Sequence, residues 1–468
     1  MSRSTKENPG SWRELLGPRF APVATVLAGG VLLEASNVYL TTSLLPTIVD
    51  DIGGADYYAW TMTTFLVASV ITSMLVSRTL TTRGAVSAYT LAFLLFAAGS
   101  AISALSPSMA VLLAGRAVQG LGGGLLAGLG YALIQRALPE RLWARGSALV
   151  SAMWGAGNVL GPAVGGLFGQ LDAWRPAFLV LVVIALAMVP LVRRAIPDTG
   201  RTRTDAKVPA VSLALLTAAV AAVSVASVVP HGFGTAAALA VGIGLGVWFL
   251  RHERTACTRV LPAVTFVRGS RLVWVYATVG VLAFGIGTEA FIPLFGQELG
   301  GMGPLAAGFL GAALSLGWSL NQIWSSNATR PATVRAMVIA GPLLLAAGLA
   351  GYGATQQELP GGWVIAAWAA TLFAAGAGIG LAFPHLTVAA MASAEGEEEG
   401  AKAAAGINTV LIIASAFSAA LAGVLVNLGG SNLLTSAHYL LFGFAAVVVL
   451  GVLPARAVSP GHRAAEVR

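Results

Sequence analysis

The sequence predicts an all-helical protein embedded in a membrane. Three observations carry that prediction: polar surface too scarce to coat a water-soluble globule, fourteen long apolar stretches, and basic residues that alternate in sign of placement from gap to gap. Of the 468 residues, 57% are apolar and 10% charged, far from the balance of a soluble domain. Fourteen spans of ~20 residues would occupy ~280 positions. The remainder divides among short connections and two tails, with no room for a soluble catalytic domain.

The apolar stretches fall at about 20 to 46, 58 to 77, 85 to 105, 108 to 135, 146 to 170, 175 to 192, 209 to 229, 233 to 250, 272 to 297, 304 to 325, 336 to 354, 362 to 391, 403 to 428 and 434 to 454. The first is longer than the apolar region of a secretory signal, carries Glu34, and has no small-residue cleavage site before more apolar sequence, so it is expected to stay in the protein. Cytoplasmic loops of membrane proteins are enriched in Lys and Arg. With the N-terminus placed inside, 25 of the 27 basic residues fall on that side, leaving Arg175 outside and Arg116 within a helix. A wrong span count would scramble this alternation at the first error. The expected layout is therefore a multi-pass protein of the cytoplasmic (inner) membrane with both termini cytoplasmic. The net charge of +8 is then a consequence of topology and does not call for nucleic acid.

The chain divides as six helices, two helices and six helices: an N-terminal bundle over residues 1–195, two extra helices with basic linkers over 196–260, and a C-terminal bundle over 261–468. The middle pair is nearly pure Ala, Val, Leu and Gly, which suits a peripheral, lipid-facing position. The two six-helix blocks are expected to be structural repeats.

Several chemistries are excluded by what the sequence lacks. Only Lys6, Lys207 and Lys402 are lysines, none follows a glycine, and no G-x-x-x-x-G-K-[ST] loop exists to grip a nucleotide. The glycine run Gly120 to Gly124 lies in an apolar span with no strand before it. Cys257 is the single cysteine, and no Cys/His set has metal-ligand spacing. No nucleophile and base are paired, so neither an enzyme nor a cofactor or metal is expected.

The residues that carry chemistry are polar groups inside spans. Glu34 stands first. At 1.5 Å per residue it lies ~18 Å from the Pro46 end of its helix, near the middle of a ~30 Å core. An ionised carboxylate there costs ~2.5 to 3.5 kcal/mol on insertion scales, so a proton is readily gained and lost. Asn37, Val38 and Thr41 share its face at i+3, i+4 and i+7, a partly polar stripe fit to line a cavity. Arg116 in the fourth helix is the natural partner: its long side chain could span the difference in depth, and a guanidinium that never gives up its proton would respond to the carboxylate without relaying protons. Glu289 is the only other acid placed inside a span, ~12 Å from its outer end. Pro293, four residues on, predicts a kinked or unwound helix there.

Gly155, Gly157, Gly161, Gly165 and Gly166 recur at intervals of about four in the fifth helix and predict a side-chain-free groove for close helix approach. Pro162 adds a bend, so the element reads as a hinge or tight seal. Candidate substrate walls are Asn37, Tyr39, Trp60, Gln119, Phe291, Trp318 and Gln322, with Phe65, Tyr131 and Asn321 as further aromatic and amide groups. His385 reads as a buried, hydrogen-bonded histidine, and the acidic run EGEEEG at 395 to 400 as a solvated loop that could pair with basic inner loops.

Helix 4 opens GRAVQGLGGGLLAGLG, helix 5 contains WGAGNVLGPAVGG followed by WRPAF, and helix 2 begins WTMTTFLVAS at Trp60. These resemble motifs B and C of the major facilitator superfamily, the second resembling the antiporter signature of drug:proton exporters, and the six-plus-two-plus-six layout resembles the fourteen-helix branch of that family. Two departures stand out. The segment Ser77 to Val86 keeps Gly84 and an arginine but has no acid, and the position nine residues before Pro46 is Asn37, with the acid one turn deeper at Glu34. The resemblance implies the major facilitator fold, alternating access by two rocking bundles, a role for Arg116 beside the embedded acid, and a monomer that exchanges protons against small amphiphilic or hydrophobic molecules such as drugs. A native lipid, siderophore or metabolite as cargo, or a facilitator or sensor without proton coupling, are the alternatives.

Overall fold

A computed structural model describes residues 11–197, 208–229, 232–393 and 397–458. Arg201, Arg203 and Lys207 of the first basic linker, the terminal Arg3, Lys6, Arg463 and Arg468, and Glu395 and Gly396 lie outside the described residues, as do the side chains of 397 to 402. Among the described residues the chain is helical throughout, with no strand.

Each of the fourteen expected stretches carries a helix: α1 (Ala21–Ile52), α2 (Trp60–Met74), α3 (Ala85–Ala104), α4 (Met109–Ala132), α5 (Glu140–Gln170), α6 (Trp174–Ala195), α7 (Ala210–Val225), α8 (Phe233–Thr255), α9 (Leu272–Ile286), α10 (Pro304–Ser325), α11 (Pro331–Ala354), α12 (Gly362–Met391), α13 (Glu397–Leu428) and α14 (Leu433–Val449). Ten helices among the described residues are long and apolar enough to cross a membrane, or eleven if a bent pair is one span. Length and composition thus confirm ten or eleven of the fourteen expected spans. The physical reason the others fall short is local. α7 has only 16 residues, α5 starts with Glu140, Arg141 and Arg145, and α10 carries Ser315, Asn321 and Gln322, which dilute its apolar character. The bent pair is α2 with the short helix Val76–Arg83, turned by 52° at Leu75. What the sequence presents as one stretch from 58 to 77 is therefore broken near its end.

The chain forms two compact units, one of residues 1–41 and 68–208, the other of 42–67 and 209–468. In the first, α3 packs along α4 and α6. The α3–α4 seam is made by glycines: a first side-chain carbon at Gly115 would lie 2.8 Å from the Ser103 nitrogen, and one at Gly122 would lie 2.8 Å from the Ala92 carbonyl oxygen. Close backbone approach of this kind is how membrane helices gain van der Waals contact where no hydrophobic drive separates them from lipid. Arg175 lies 4.2 Å over the Trp174 ring and donates to the Ser106 carbonyl at the end of α3.

In the second unit α10 and α11 both pack on α12, α9 on α13, and α7 on α8 and α13. The apolar window of α8 is only 17% buried, with Phe233, Ile243 and Trp248 exposed. α8 runs on to Thr255, past the expected end at 250, and this carries Glu253 into the interior, where it is fully buried. Glu289 is therefore not the only buried acid besides Glu34 among the described residues.

Candidate functional site: a buried polar network and two acids

The first unit holds a polar cluster inside apolar helices. α1 is apolar along nearly its whole length, which buries it on most sides, and the stripe Glu34, Asn37 and Thr41 is carried inward with it; Glu34 is 5% exposed, Asn37 and Thr41 not at all. From α4, fully buried Arg116 donates through Nη1 to Asn37 Oδ1 at 3.1 Å and to Gln119 Oε1. Gln119 Nε2 passes the chain on to Ser100 Oγ of α3 at 2.7 Å, and Thr41 Oγ1 donates to Asn37 Oδ1 at 3.4 Å. The α3–α4 glycine seam is what permits this: a side-chain carbon at Gly99 would sit 2.7 Å from Gln119 Cβ.

The bonds seen for Arg116 thus go to amides, where the sequence suggested a pairing with Glu34. The Glu34 Oε2 oxygen and the Asn37 Nδ2 nitrogen, one turn apart on α1, are buried with no hydrogen-bond partner. A buried acceptor and a buried donor left unmatched are uncommon and costly, and here one belongs to the residue that holds the guanidinium and the other lies one turn from it. Ser100 gave no sequence signal, since a lone serine in an apolar helix is common.

The glycine groove on α5 is a stripe of three. A side-chain carbon at Gly157 would lie 2.9 Å from the Ala35 carbonyl carbon, one at Gly161 would lie 2.8 Å from the Ser36 oxygen, and one at Gly165 would lie 2.7 Å from the Leu40 oxygen. α5 therefore runs backbone to backbone along the α1 face beside Glu34. Gly155 has open space around it and lies off the stripe. Gly166 is buried, and the helix continues through Pro162 without interruption. Tyr39 belongs to this contact too, its Cβ lying against Gly161.

In the second unit, α9 ends at Ile286, a 3-10 turn covers Gly287–Phe291, and a short helix Ile292–Glu298 resumes. This is the break expected from Pro293, which has no N–H to continue the helical ladder. Ser418 Oγ of α13 donates to the Phe284 carbonyl at this break. Glu289 is 8% exposed and its Oε1 accepts from Ser315 Oγ of α10 at 2.6 Å.

The remaining candidates are dispersed. Trp318 Nε1 donates to Gln322 Oε1 at 2.8 Å, and its ring meets Phe383 edge-on. Asn321 bonds its own helix at Gly317, Tyr131 is exposed, and Phe65 is buried. His385 is 9% exposed and hydrogen-bonded to the Ser325 backbone, with its Nε2 left without a partner. Phe291 is 1% exposed and stacked between Tyr58 and Phe295, and Trp60 Nε1 donates to Ser227 Oγ at 3.2 Å. Both lie in the second unit. Glu253, absent from the sequence candidates, accepts from Ser212 Oγ through Oε1, and from the Val260 and Leu261 backbone N–H groups at 2.9 and 2.8 Å through Oε2.

Long apolar helices in two units, one of them enclosing a buried arginine, amides and a carboxyl, define a multi-pass membrane protein with an ionisable interior. The chain belongs to the Major Facilitator Superfamily, whose family model matches residues 27–410. It is 44% identical over 457 residues, covering 96% of both chains, to a protein of Mycobacterium tuberculosis named a probable multidrug-efflux transporter. It is 24% identical over 453 residues, covering 92% of this chain and 79% of the relative, to the multidrug transporter protein MdtP of Bacillus subtilis. Among solved structures, it resembles a D-xylose-proton symporter (TM-score 0.66, 13% identity, 94% of this chain and 98% of that one). A peptide transporter of the POT family matches similarly (TM-score 0.68, 16% identity, 94% of each chain). At such identities the structural likeness speaks for the fold.

Proposed function

We propose that the chain is a proton-coupled exporter that exchanges protons against small amphiphilic or hydrophobic molecules such as drugs, working as a monomer in the cytoplasmic membrane with both ends inside. The names of its M. tuberculosis and B. subtilis relatives support the cargo class. One observation carries the coupling: Glu34, on the stripe beside Arg116, has a buried oxygen that nothing satisfies. A carboxyl so placed is tolerable while it holds its proton. Once the proton leaves, the charge demands a donor in a medium of low dielectric. Arg116 is bonded to Asn37, one turn away on the same face, so the response we propose is a transfer of the guanidinium from Asn37 to Glu34, which shifts the α4 contact by one turn along α1.

In this cycle the inward-open form takes cargo from the cytoplasm or inner leaflet. Outward opening lets Glu34 take up a proton and displaces the cargo, and return delivers the proton inside. Glu289 is the second proton site in the same scheme, with Ser315 as its donor when ionised. Asn37 and Gln119 line the cargo path, and the Gly157–Gly161–Gly165 stripe lets α5 slide on α1. The three-part division at 195/196 and 260/261 is retained as the working domain scheme.

The test is substrate counterflow set beside pH-gradient-driven uptake in proteoliposomes, with ethidium as cargo. Glu34→Gln is expected to keep counterflow, which needs no net proton movement, while uphill transport falls at least about tenfold, the size of an effect when a coupling group is removed outright. Undiminished gradient-driven transport in that variant refutes the assignment.

A further inference from the structure

The chain just ahead of the first span carries the features of a segment that lies on a bilayer surface. From Ala21 to Val49, α1 holds no charged residue but Glu34. At 1.5 Å per residue this run is ~42 Å long, which matches the ~40–45 Å of a bilayer with its headgroup regions. The residues before Ala21 therefore fall at headgroup depth. There a short helix, Trp12–Leu15, is capped by the Ser11 side chain, which accepts from the Glu14 N–H. It is moored to the first unit on one side: Leu15 is fully buried, and Glu14 accepts from Arg141 near the start of α5 at 2.6 Å.

The other side is open. Trp12 and Leu16, one turn apart, are 46% and 58% exposed, and Arg13 and Arg19 are exposed beside them, the Arg19 guanidinium lying 5.1 Å over the Phe20 ring. Glu14 is the only acid between residues 11 and 20, and Arg141 answers its charge. The open side thus offers two positive charges and two large apolar groups. Tryptophan and leucine at this depth sit well at the boundary of headgroups and acyl chains, and arginine there attracts anionic headgroups. A soluble partner would have to displace the bilayer, so lipid is the occupant.

We propose that residues 12–19 form an interfacial anchor that takes an anionic phospholipid, its phosphate against Arg13 and Arg19 and its acyl chain against Trp12 and Leu16. Because Leu15 and Glu14 tie the segment to α5, the helix with the glycine stripe, the bound lipid fixes the start of α5 against the bilayer surface. The proposal rests on neither proton coupling nor cargo, and its test needs neither.

The experiment places a bimane label on Leu16→Cys in the full chain, with the exposed Cys257 replaced by serine. The protein is held in nanodiscs of phosphatidylcholine and titrated with nitroxide-bearing phosphatidylglycerol or nitroxide-bearing phosphatidylcholine, which quench the label on contact. Half-maximal quenching is expected at a lower fraction of phosphatidylglycerol, by about fivefold for each of the two arginines, the factor that corresponds to one surface arginine near anionic lipid. Arg13→Gln combined with Arg19→Gln is expected to bring the two curves together, as is high salt. Trp12→Ser is expected to weaken quenching by both lipids and to keep the preference. A label that neither lipid quenches overturns the proposal, because the segment then stands off the bilayer. Equal quenching by the two lipids in the chain with both arginines, or a preference that survives their loss, overturns it as well.

Discussion

Glu34 and Glu253 are both acids buried by long helices, and they are handled in opposite ways. Glu253 at the last turn of α8 has both oxygens engaged, by the Ser212 hydroxyl and by two backbone N–H groups of the following turn. Its charge is met by fixed donors, and its effect is to clamp α7, α8 and the chain at 260–261 to one another. Glu34 lies in the middle of α1 with an oxygen that has no donor at all, while the guanidinium on its stripe is occupied by amides. A carboxylate whose donors are built in is a structural part, because protonation would only cost it bonds. A carboxyl whose donor is missing changes its demands with each proton, which is what coupling needs.

The comparison can be broken most forcefully at the structural acid. Glu253→Ala leaves a hydroxyl and two backbone N–H groups without their acceptor, and should cost ~2 to 4 kcal/mol of stability. A fall in the thermal midpoint of the purified protein is the readout, with transport per folded molecule retained. A loss of coupling without a loss of stability would erase the distinction between the two acids.

The groove beside Glu34 offers the next largest effect. Gly161→Leu forces a side chain onto the Ser36 carbonyl and should cost ~1 to 3 kcal/mol by overpacking, while Gly155→Leu, in open space, should be neutral in the same thermal assay. Equal effects at both glycines would mean that α1 and α5 do not approach along this stripe. Smaller still, Ser315→Ala removes the one donor seen on Glu289 and should cost ~0.5 to 1.5 kcal/mol, read as a modest drop in thermal midpoint.

The smallest effect belongs to an exposed pair. Glu14 accepts from Arg141, 2.6 Å away, and this hydrogen bond holds its carboxyl below the usual carboxylate range. Because the folded value is depressed, whatever the pair contributes is present above that range and lost as the pH falls through the lowered value. The difference in thermal midpoint between the unmodified chain and Arg141→Gln should therefore be slight at neutral pH and vanish in acid.

Much of this was legible in the sequence, because long apolar stretches, i+4 glycines and a proline four residues after an acid each act locally. The helix positions, the α1–α5 groove and the break before Ile292 follow from such signals. The partner of Arg116 was not legible: depth measured from the ends of two separate helices does not say which rows face each other, and a difference of one turn replaces Glu34 with Asn37. Glu253 was missed because it stands among Arg251, Arg254 and Arg259 and reads as part of a solvated linker. Length and composition confirm ten or eleven of the fourteen spans; α5 and α10 carry polar residues that lower their apolar character and α7 is short. Residue type alone also gave no sign of the contacts that hold two of the candidate wall residues, Ser227 on Trp60 and Tyr58 on Phe291.

Proton movement across liposomes bearing the unmodified chain or Glu34→Gln, followed with an enclosed pH dye as ethidium is added without any imposed gradient, tests the central claim most directly. A proton flux that accompanies the cargo in the unmodified chain, and is absent in Glu34→Gln while Glu253→Gln retains it, is the predicted result. The same flux persisting in Glu34→Gln would contradict the account.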